Sequence, residues 1–528
     1  MVEKNTGSGA GQTKSVNPAT GELLASFPLH SVNDLRKMIR QAKVAQKIWQ
    51  EVSVKERAKK IERIRDYLVE NTDDLVATIS ADNGKSLADA LITEIFPATL
   101  SVHYYCKNAG KFLRDRKLSP ASIILSFKRS KVIRVPHGVV GVISPWNYPF
   151  AIAFYQVIIA LLSGNGVILK TATETQLVGH ALKRAIEAAD LPAGLFHFVN
   201  MPGRLAGDAF LENGIDKLAF IGSVSVGKKL MAKAAATLTP VTLELGGKDA
   251  MIVCDDADPY LAANGAVWGG YTNAGQSCGG IERIYVHEKI YDKFMSSFKE
   301  KTETLKIGAG QNYDVDISCI TTKRQVDTIN RHVADALKKG AAIFAKSAVP
   351  DEPNLQNFLP AMVLTNVNHD MQMMREETFG PIVGVMKVKD MDEAIALAND
   401  SNLGLSASVW SQDRKKAEKI ARKIEAGVVN INDHLMSHGM SETPWGGFKE
   451  SGIGRSHSKY GFWEMTQPQV IVRDVLPGIK REMWWYPVNK KVYDGLRGLI
   501  EMRFAKSLKR RFKGIKNALI ILPRMYKK

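Results

Sequence analysis

The sequence predicts an α/β protein built from two parallel-sheet units, and three observations carry that expectation. Short β-branched apolar runs alternate with stretches of helical apolar period from Lys131 to about residue 250. The same rhythm restarts at Asp249 and continues to Asn432. Such alternation argues for parallel strands covered by helices. The composition agrees: 528 residues, 45% hydrophobic and 24% charged, are enough for a large core without crosslinks. Four cysteines in that length exclude a disulfide scaffold and suit a reducing compartment.

Taken in order, residues 31–99 read as helices. Ser31 and Asp34 are capping candidates, and Leu35, Met38, Ile39, Ala42, Ala45 and Trp49 recur at helical spacing. A second periodic stretch carries Ile61, Ile64, Leu68 and Val69. The period then changes. Lys131–Ser144 is β-branched and apolar, broken by Pro136 and Gly138, and ends in Pro145-Trp146-Asn147-Tyr148-Pro149. Strands are expected at Val167–Lys170, Phe196–Val199 and Lys217–Ile221, with helices over Thr175–Ala189 and from Ser223 through Ala236. In the second unit they are expected at Asp249–Val253, Ile284–His287, Ala341–Phe344, Ile382–Val388 and Val428–Asn432. The first residues are polar and glycine-rich, unlike a secretory signal. The longest apolar runs, Ala151–Ser163 and Ala518–Leu522, fall short of the ~20 residues that span a bilayer. A cytoplasmic protein is expected, peripheral to a membrane at most.

The net charge of +18 is unevenly placed: residues 471–528 hold 16 Lys and Arg against four acids, so +12 belongs to the last 58 residues. No recognised nucleic-acid-binding fold accompanies that charge, and no nucleic acid is expected as a partner. Within the tail, Met483-Trp484-Trp485-Tyr486-Pro487 precedes Leu496, Leu499, Ile500, Phe504, Leu508, Phe512, Ile515, Leu519 and Ile520, with Arg and Lys on the remaining positions. This reads as a basic amphipathic helix lying in an anionic membrane interface through 484–522. A helix packed on a partner subunit is the alternative.

Four segments carry chemistry. Cys278 lies in Asn273-Ala274-Gly275-Gln276-Ser277-Cys278-Gly279-Gly280, where small neighbours leave room for a substrate to reach sulfur, although a lone cysteine is often a small core residue. Glu244, in Thr242-Leu243-Glu244-Leu245-Gly246-Gly247-Lys248, is an acid in an apolar strand. It is either a base with a raised pKa or half of an ion pair with Lys248. Asn147, between Trp146 and Tyr148, is either a hydrogen-bond donor to a developing oxyanion or a turn-forming residue. Phe220-Ile221-Gly222-Ser223-Val224-Ser225-Val226-Gly227 is a strand-to-helix turn whose free N–H groups suit a phosphate. The other cysteines, Cys106, Cys254 and Cys319, read as core residues.

The order Pro-Trp-Asn-Tyr-Pro, Gly-Ser-x-x-x-Gly, Glu-Leu-Gly-Gly-Lys and Gly-Gln-Ser-Cys resembles the aldehyde dehydrogenase superfamily. Two later segments agree: Glu376-Glu377-Thr378-Phe379-Gly380-Pro381, and Pro444-Trp445-Gly446-Gly447-Phe448-Lys449 continuing to Arg455. The resemblance runs from about Asn17 to Val472. It implies an aldehyde dehydrogenase-like fold with a Rossmann-type cofactor domain (1–114 and 136–245), an α/β catalytic domain (246–445) and a small β oligomerisation element (115–135 and 446–475), followed here by the basic tail (476–528).

By the same resemblance Cys278 is the nucleophile, Glu244 the base that activates the hydrolytic water, and Asn147 the oxyanion donor, giving a free acid as product. The implied cofactor is NAD, with NADP the alternative, held by Ser144, Pro145, Trp146, Lys170, Thr173, Glu174, Gly203, Gly207, Phe220, Gly222, Ser223, Gly227, Leu245, Glu377 and Phe379. Many NAD-preferring members carry an acid three residues after the lysine; here Thr173 stands there and Glu174 follows. The substrate tunnel is expected from Tyr148, Ile152, Tyr155, Ser277, His434 and Leu435, without an arginine, which points to an apolar aliphatic or aromatic aldehyde. A semialdehyde or acyl-CoA-forming dehydrogenase, or a non-catalytic membrane-associated scaffold, are the alternatives. No metal is implied, and a homodimer or homotetramer is expected.

Overall fold

The computed structural model describes residues 11–310, 313–350 and 357–527. Residues 1–10, on which the reading of the N-terminus mainly rests, lie outside them. The described residues form two compact units, one built from residues up to 113 together with 136–467, the other from 114–135 together with 468 onward.

The first unit contains two large sheets, beside two short two-stranded pairs, Gln12–Val16 with Leu23–Pro28 and Leu403–Gly404 with Phe448–Lys449. Strands β1 (Val139–Ile143), β2 (Gly166–Lys170), β3 (Phe196–Phe198), β4 (Lys217–Ile221) and β5 (Val241–Glu244) lie side by side in the order β5-β4-β1-β2-β3, all parallel. The chain starts in the middle and reverses direction between β1 and β4, which opens a crevice at their carboxyl ends. Helices cover the sheet because their apolar residues share one face. In Val32–Trp49 the buried residues Leu35, Ile39, Ala42, Ala45 and Trp49 form that stripe, and Ser31 and Asp34 close a reciprocal capping box. The apolar run Ala151–Leu162 is a helix buried on every side, packed between the sheet and the helices Val54–Glu70 and Phe96–Leu113.

After β5 the chain crosses to the second sheet in four residues, Leu245-Gly246-Gly247-Lys248. Strands β6 (Asp249–Val253), β7 (Ile281–His287), β8 (Ala342–Lys346), β9 (Met362–Thr365), β10 (Ile382–Val388), β11 (Ser406–Trp410) and β12 (Val428–Ile431) follow in the order β8-β9-β10-β7-β6-β11-β12. Only the β8/β9 pair is antiparallel. Strand β11 escaped the sequence reading because Ser406-Ala407-Ser408 breaks the apolar run, although the whole strand is buried. A short strand, β13 (Gly452–Ile453), pairs antiparallel with β5 and sets Gly452 opposite Glu244. Only glycine fits there: its φ is 137°, and a Cβ would sit 2.0 Å from the Leu243 carbonyl oxygen.

The second unit holds a three-stranded sheet, Thr466–Asp474 beside Lys128–Pro136 beside Arg116–Leu118. Its tail departs from the single helix expected. Ala505 is extended (φ −65°, ψ 138°), so the chain folds into a hairpin of two helices, Lys490–Phe504 and Leu508–Ile521. The seam is glycine-lined: a Cβ on Gly498 would stand 2.6 Å from the Gly514 carbonyl oxygen, and one on Gly514 would stand 2.6 Å from that of Gly498. Glu501 ties the helices together, pairing with Arg497 at 3.2 Å and Arg510 at 3.0 Å. Leu496 and Leu499 pack inward on Met483, Ile521, Met525 and Phe127. Leu508, Phe512, Ile515, Leu519 and Leu522 remain exposed, at spacing that places them on one outward stripe. Among the described residues no helix is long and apolar enough to cross a membrane.

Candidate active site

Cys278 is presented by a left-handed loop. After the helix Pro259–Tyr271, Asn273, Ala274 and Gly275 take φ of 54°, 54° and 71°. Left-handed backbone at non-glycine residues costs ~1–3 kcal/mol each and persists only where surroundings over-determine it. They do so here. The Asn273 N–H donates to Asp89 at 3.1 Å, its side-chain amide donates to the Asn147 carbonyl at 2.9 Å, and Gln276 Nε2 returns to the Asn273 carbonyl at 3.0 Å. A side chain at Gly275 would collide with the Gly380 carbonyl, 2.2 Å away.

Glu244, at the carboxyl end of β5, faces this loop. Its Oε1 lies 3.9 Å from Cys278 Sγ and accepts the Trp445 indole N–H at 2.5 Å. Burial raises its pKa to about 7, against the pull of Trp445 and Cys278. Lys248 is not its partner: that ammonium pairs with buried Glu282, whose carboxylate also accepts the backbone N–H groups of Thr378 and Phe379. The ion-pair reading of Glu244 is therefore overturned. Glu377 accepts the Gly247 N–H at 3.0 Å, and burial beside Glu282 raises it to about 8. Burial, with Glu244, Glu377 and Asp249 nearby, pushes the Cys278 thiol well above its ordinary range.

Two cavities meet at Cys278. One, of about 360 Å³, is lined by apolar and aromatic side chains including Phe96, Leu100, Tyr148, Trp268, Met436 and Trp445. The other, of about 390 Å³, lies over the crevice between β1 and β4 and carries Trp146, Gly222, Ser223, Leu245, Glu377 and Phe379. This second cavity fits a nicotinamide dinucleotide. Ser223 makes no side-chain cap for the helix Val224–Ala235, leaving its first-turn N–H groups for a phosphate. The Glu377 carboxylate lines it where it would meet ribose hydroxyls, and the Trp146 and Phe379 rings stand edge to face at 5.5 Å.

A family model described as "Aldehyde dehydrogenase family" matches residues 5–471. The chain belongs to this family. It is an NAD(P)-dependent aldehyde dehydrogenase. A relative from Methylomonas sp, named 4,4'-diapolycopene aldehyde oxidase, is 36% identical over 93% of this chain and 91% of its own length. A putative succinate-semialdehyde dehydrogenase [NADP(+)] from Mycolicibacterium smegmatis is 36% identical over 86% of this chain and 87% of its own. The crystal structure of an NAD-dependent aldehyde dehydrogenase from Sinorhizobium meliloti superposes with a TM-score of 0.85 at 33% identity, covering 90% of this chain and 93% of that one.

Within this aldehyde dehydrogenase the expected residues separate by place. Asn147 and Glu244 line the dinucleotide-side cavity with Cys278, as do Pro145, Trp146, Glu174, Gly222, Ser223, Leu245, Glu377 and Phe379. Ser144 and Lys170 are buried behind it, with the Lys170 ammonium 3.6 Å from where a Cβ on Gly203 would stand. Gly207 and Gly227 are packing glycines, pressed on Leu230 and Leu245, and Phe220 packs over Gly222. Thr173 is half-buried beside exposed Glu174. Of the six tunnel residues, Tyr148, Ser277 and Leu435 line the apolar cavity. The other three do not. Ile152 faces the dinucleotide side, Tyr155 meets the His438 and His457 rings edge to face, and His434 is fully buried with Nε2 2.8 Å from the Gly279 carbonyl oxygen. The cavity-lining residues that sequence reasoning missed, Ile92, Phe96, Leu100 and Tyr104, repeat at every fourth position as helix core does; the structure shows the first three half-exposed or more and Tyr104 half-buried.

A buried ionic cluster positions both Asn147 and the Cys278 loop. Lys85 Nζ donates to Glu94 at 2.7 Å and to the Asn147 carbonyl at 2.9 Å; Glu94 also accepts the N–H groups of Phe150 at 2.7 Å and Ala151 at 3.0 Å. Both side chains are wholly buried. Removing one partner of such a pair costs ~3–5 kcal/mol, whereas replacing both with apolar groups is often neutral. Lys85→Met is expected to lower the urea midpoint of unfolding and to depress kcat for aldehyde oxidation. The double variant Lys85→Met, Glu94→Leu should regain stability without regaining kcat, measured by urea titration and steady-state kinetics on the same preparations. Equal recovery of both quantities would reduce the cluster to a purely structural role.

Proposed function

We propose that the enzyme oxidises an apolar aliphatic or aromatic aldehyde to the free carboxylic acid through a thioester on Cys278. The single observation that carries this reading is that Cys278 is shared by the apolar and the dinucleotide-side cavities, with the Glu244 carboxylate 3.9 Å from its sulfur. The thiol proton passes to the Glu244 carboxylate, the sulfur attacks the carbonyl carbon, and the C=O π pair moves to oxygen. Asn147 Nδ2 gives one hydrogen to the Gln276 carbonyl at 3.1 Å and keeps the other for that oxyanion, beside the Cys278 backbone N–H. Bound nicotinamide supplies the acceptor for the hydride lost from the substrate carbon. Glu244 gives the thiol proton up to solvent and is a carboxylate again; it then takes a proton from the water that attacks the thioester, and as the C–S bond breaks its electron pair returns to sulfur, which takes that proton from Glu244 while the acid leaves.

The β1–β5 sheet serves as the cofactor-binding domain and the β6–β12 sheet as the catalytic one. NAD is favoured over NADP, since the Glu174 carboxylate lines the dinucleotide cavity and would repel a 2′-phosphate. An apolar substrate is favoured because the lining of the apolar cavity contains no Lys or Arg to pair a substrate carboxylate, and it is consistent with the relative named 4,4'-diapolycopene aldehyde oxidase.

Two surface assignments accompany the chemistry. The edge strand Thr466–Asp474 exposes eight of its nine residues, including Val470, Ile471 and Val472, and serves as the joint of at least a homodimer. The hairpin Lys490–Ile521 rests on an anionic membrane surface through its apolar stripe, with Lys509, Arg511, Lys513 and Lys516 exposed on the same helix as cations for lipid headgroups.

Because Glu244 must be a carboxylate to act as base, kcat should rise with pH through about 7. Glu244→Gln should flatten that limb and lower kcat by ~10²–10⁴, and Cys278→Ala should abolish NAD(P)H formation with every aldehyde tried. Turnover surviving Cys278→Ala rejects the assigned nucleophile. Light scattering of the pure protein should give a mass of at least two chains; a monomer at micromolar concentration removes the edge-strand joint. Full-length protein should sediment with anionic liposomes at low salt, and the pair Phe512→Ser, Leu519→Ser should not. Equal sedimentation of the two proteins sinks the membrane reading.

A further inference from the structure

The apolar cavity at Cys278 is not a closed tunnel. Its lining includes Ile92, Phe96 and Leu100, which are 50%, 58% and 50% exposed, together with Met436 and Met440, which are 53% and 38% exposed. Ile92, Phe96, Leu100 and half-buried Tyr104 recur at every fourth position, so they form one stripe along the helix Phe96–Leu113 and the turn before it. At about 1.5 Å per residue the stripe is roughly 18 Å long.

The turn that begins it is a single π-helical turn, Leu91–Ile95, in which the Phe96 N–H bonds to the Leu91 carbonyl. Such turns are uncommon and cluster at functional sites. Here the turn does two things at once. It keeps Glu94 wholly buried on Lys85, while its neighbour Ile92 reaches the cavity rim. A monomer gains nothing from exposing so contiguous an apolar row, and such patches mark binding surfaces. The two methionines add soft, adaptable side chains to the same rim.

We infer that this open trough continues the substrate cavity and holds the distal hydrocarbon chain of a long apolar aldehyde, one too long to be enclosed. The inference deepens the functional reading above, on which it rests for the identity of the reacting end. The cavity, about 360 Å³ with Ile92, Phe96 and Leu100 already in its wall, has room for about a dozen water-sized groups at ~30 Å³ each, so a chain of about that length lies against the exposed row and a longer one runs out over it. The exit it meets is continuous with the lining and uncharged except for Glu442.

The test reads binding and chain-length preference separately. Quenching of tryptophan fluorescence, with Trp268 and Trp445 in the lining, reports the binding of unreactive butanamide, octanamide and dodecanamide to the whole enzyme. Affinity should rise at least tenfold from butanamide to dodecanamide. The triple variant Ile92→Ser, Phe96→Ser, Leu100→Ser should lose most of that gain, and its ratio of kcat/KM for dodecanal over butanal should fall at least tenfold, mainly through KM. Equal affinity for the short and long amides in the unmodified enzyme overturns the proposal. So does a triple variant that keeps both ratios, or one that changes only the oligomer mass, which would assign the row to a subunit contact. Amide binding needs no turnover, so failure of the Cys278 chemistry would be seen apart from failure of the trough.

Discussion

The site is governed by four carboxylates drawn into the protein around the Cys278 segment. Glu244, Asp249 and Glu282 are buried and Glu377 is half-buried at the wall of the dinucleotide-side cavity, and an unpaired carboxylate there is costly unless it is hydrogen-bonded or protonated. The fold answers differently for each. Glu282 receives a full ammonium and two backbone N–H groups. Asp249 is held by the Ser406 hydroxyl and N–H, Glu377 by one backbone N–H, and Glu244 by one indole N–H. The under-compensated three are those whose pKa values are pushed up to about 8, 8 and 7. Lys248 could have neutralised Glu244; by going to Glu282 it leaves Glu244 titrating where a base is useful.

That allocation depends on backbone that only small residues can make. The crossing from β5 to β6 brings Gly247 so close to the Cys278 loop that a Cβ there would lie 2.1 Å from the Cys278 carbonyl oxygen, and one on Gly246 would lie 2.5 Å from Glu377. The four-residue link therefore needs glycine at both of its central positions. On the other side, Asn273 and Ala274 hold left-handed backbone without being glycine, and Asp89 and Asn147 supply the bonds that keep them there. The strain of the loop and the buried Lys85–Glu94 pair belong to one network, since Lys85 and Asn273 bond to the same carbonyl of Asn147.

What was legible in the sequence follows from the range of the interaction that decides it. Strands β1, β2 and β4, the helix capped by Ser31, and the segment holding Cys278 announce themselves through local apolar period, capping chemistry and small-residue runs. Strand β11 did not, because burial of Ser406 and Ser408 is made affordable by distant partners such as Asp249. Nor did the assignment of Tyr155 and His434. Both sit at positions expected near substrate, yet one is drawn into the ring cluster with His438 and His457 and the other onto the Gly279 carbonyl. Ile92, Phe96 and Leu100 carry the reverse error: their spacing is that of core residues, and only the third dimension shows that their face is open.

The tail shows how a correct local pattern can support an incomplete picture. Its apolar and basic residues do fall at helical spacing, but Gly495, Gly498 and Gly514 let two helices approach until backbone meets backbone. A single amphipathic helix would put those residues on one face; the hairpin divides them, taking Leu496 and Leu499 inward and leaving Leu508, Phe512, Ile515 and Leu519 outside. A lone amphipathic helix of this length is marginal in water and must be ordered when it meets its surface. The glycine seam and the Glu501 bridges order both helices beforehand, so a surface that receives the outward stripe meets a preformed ridge and bears none of that entropy.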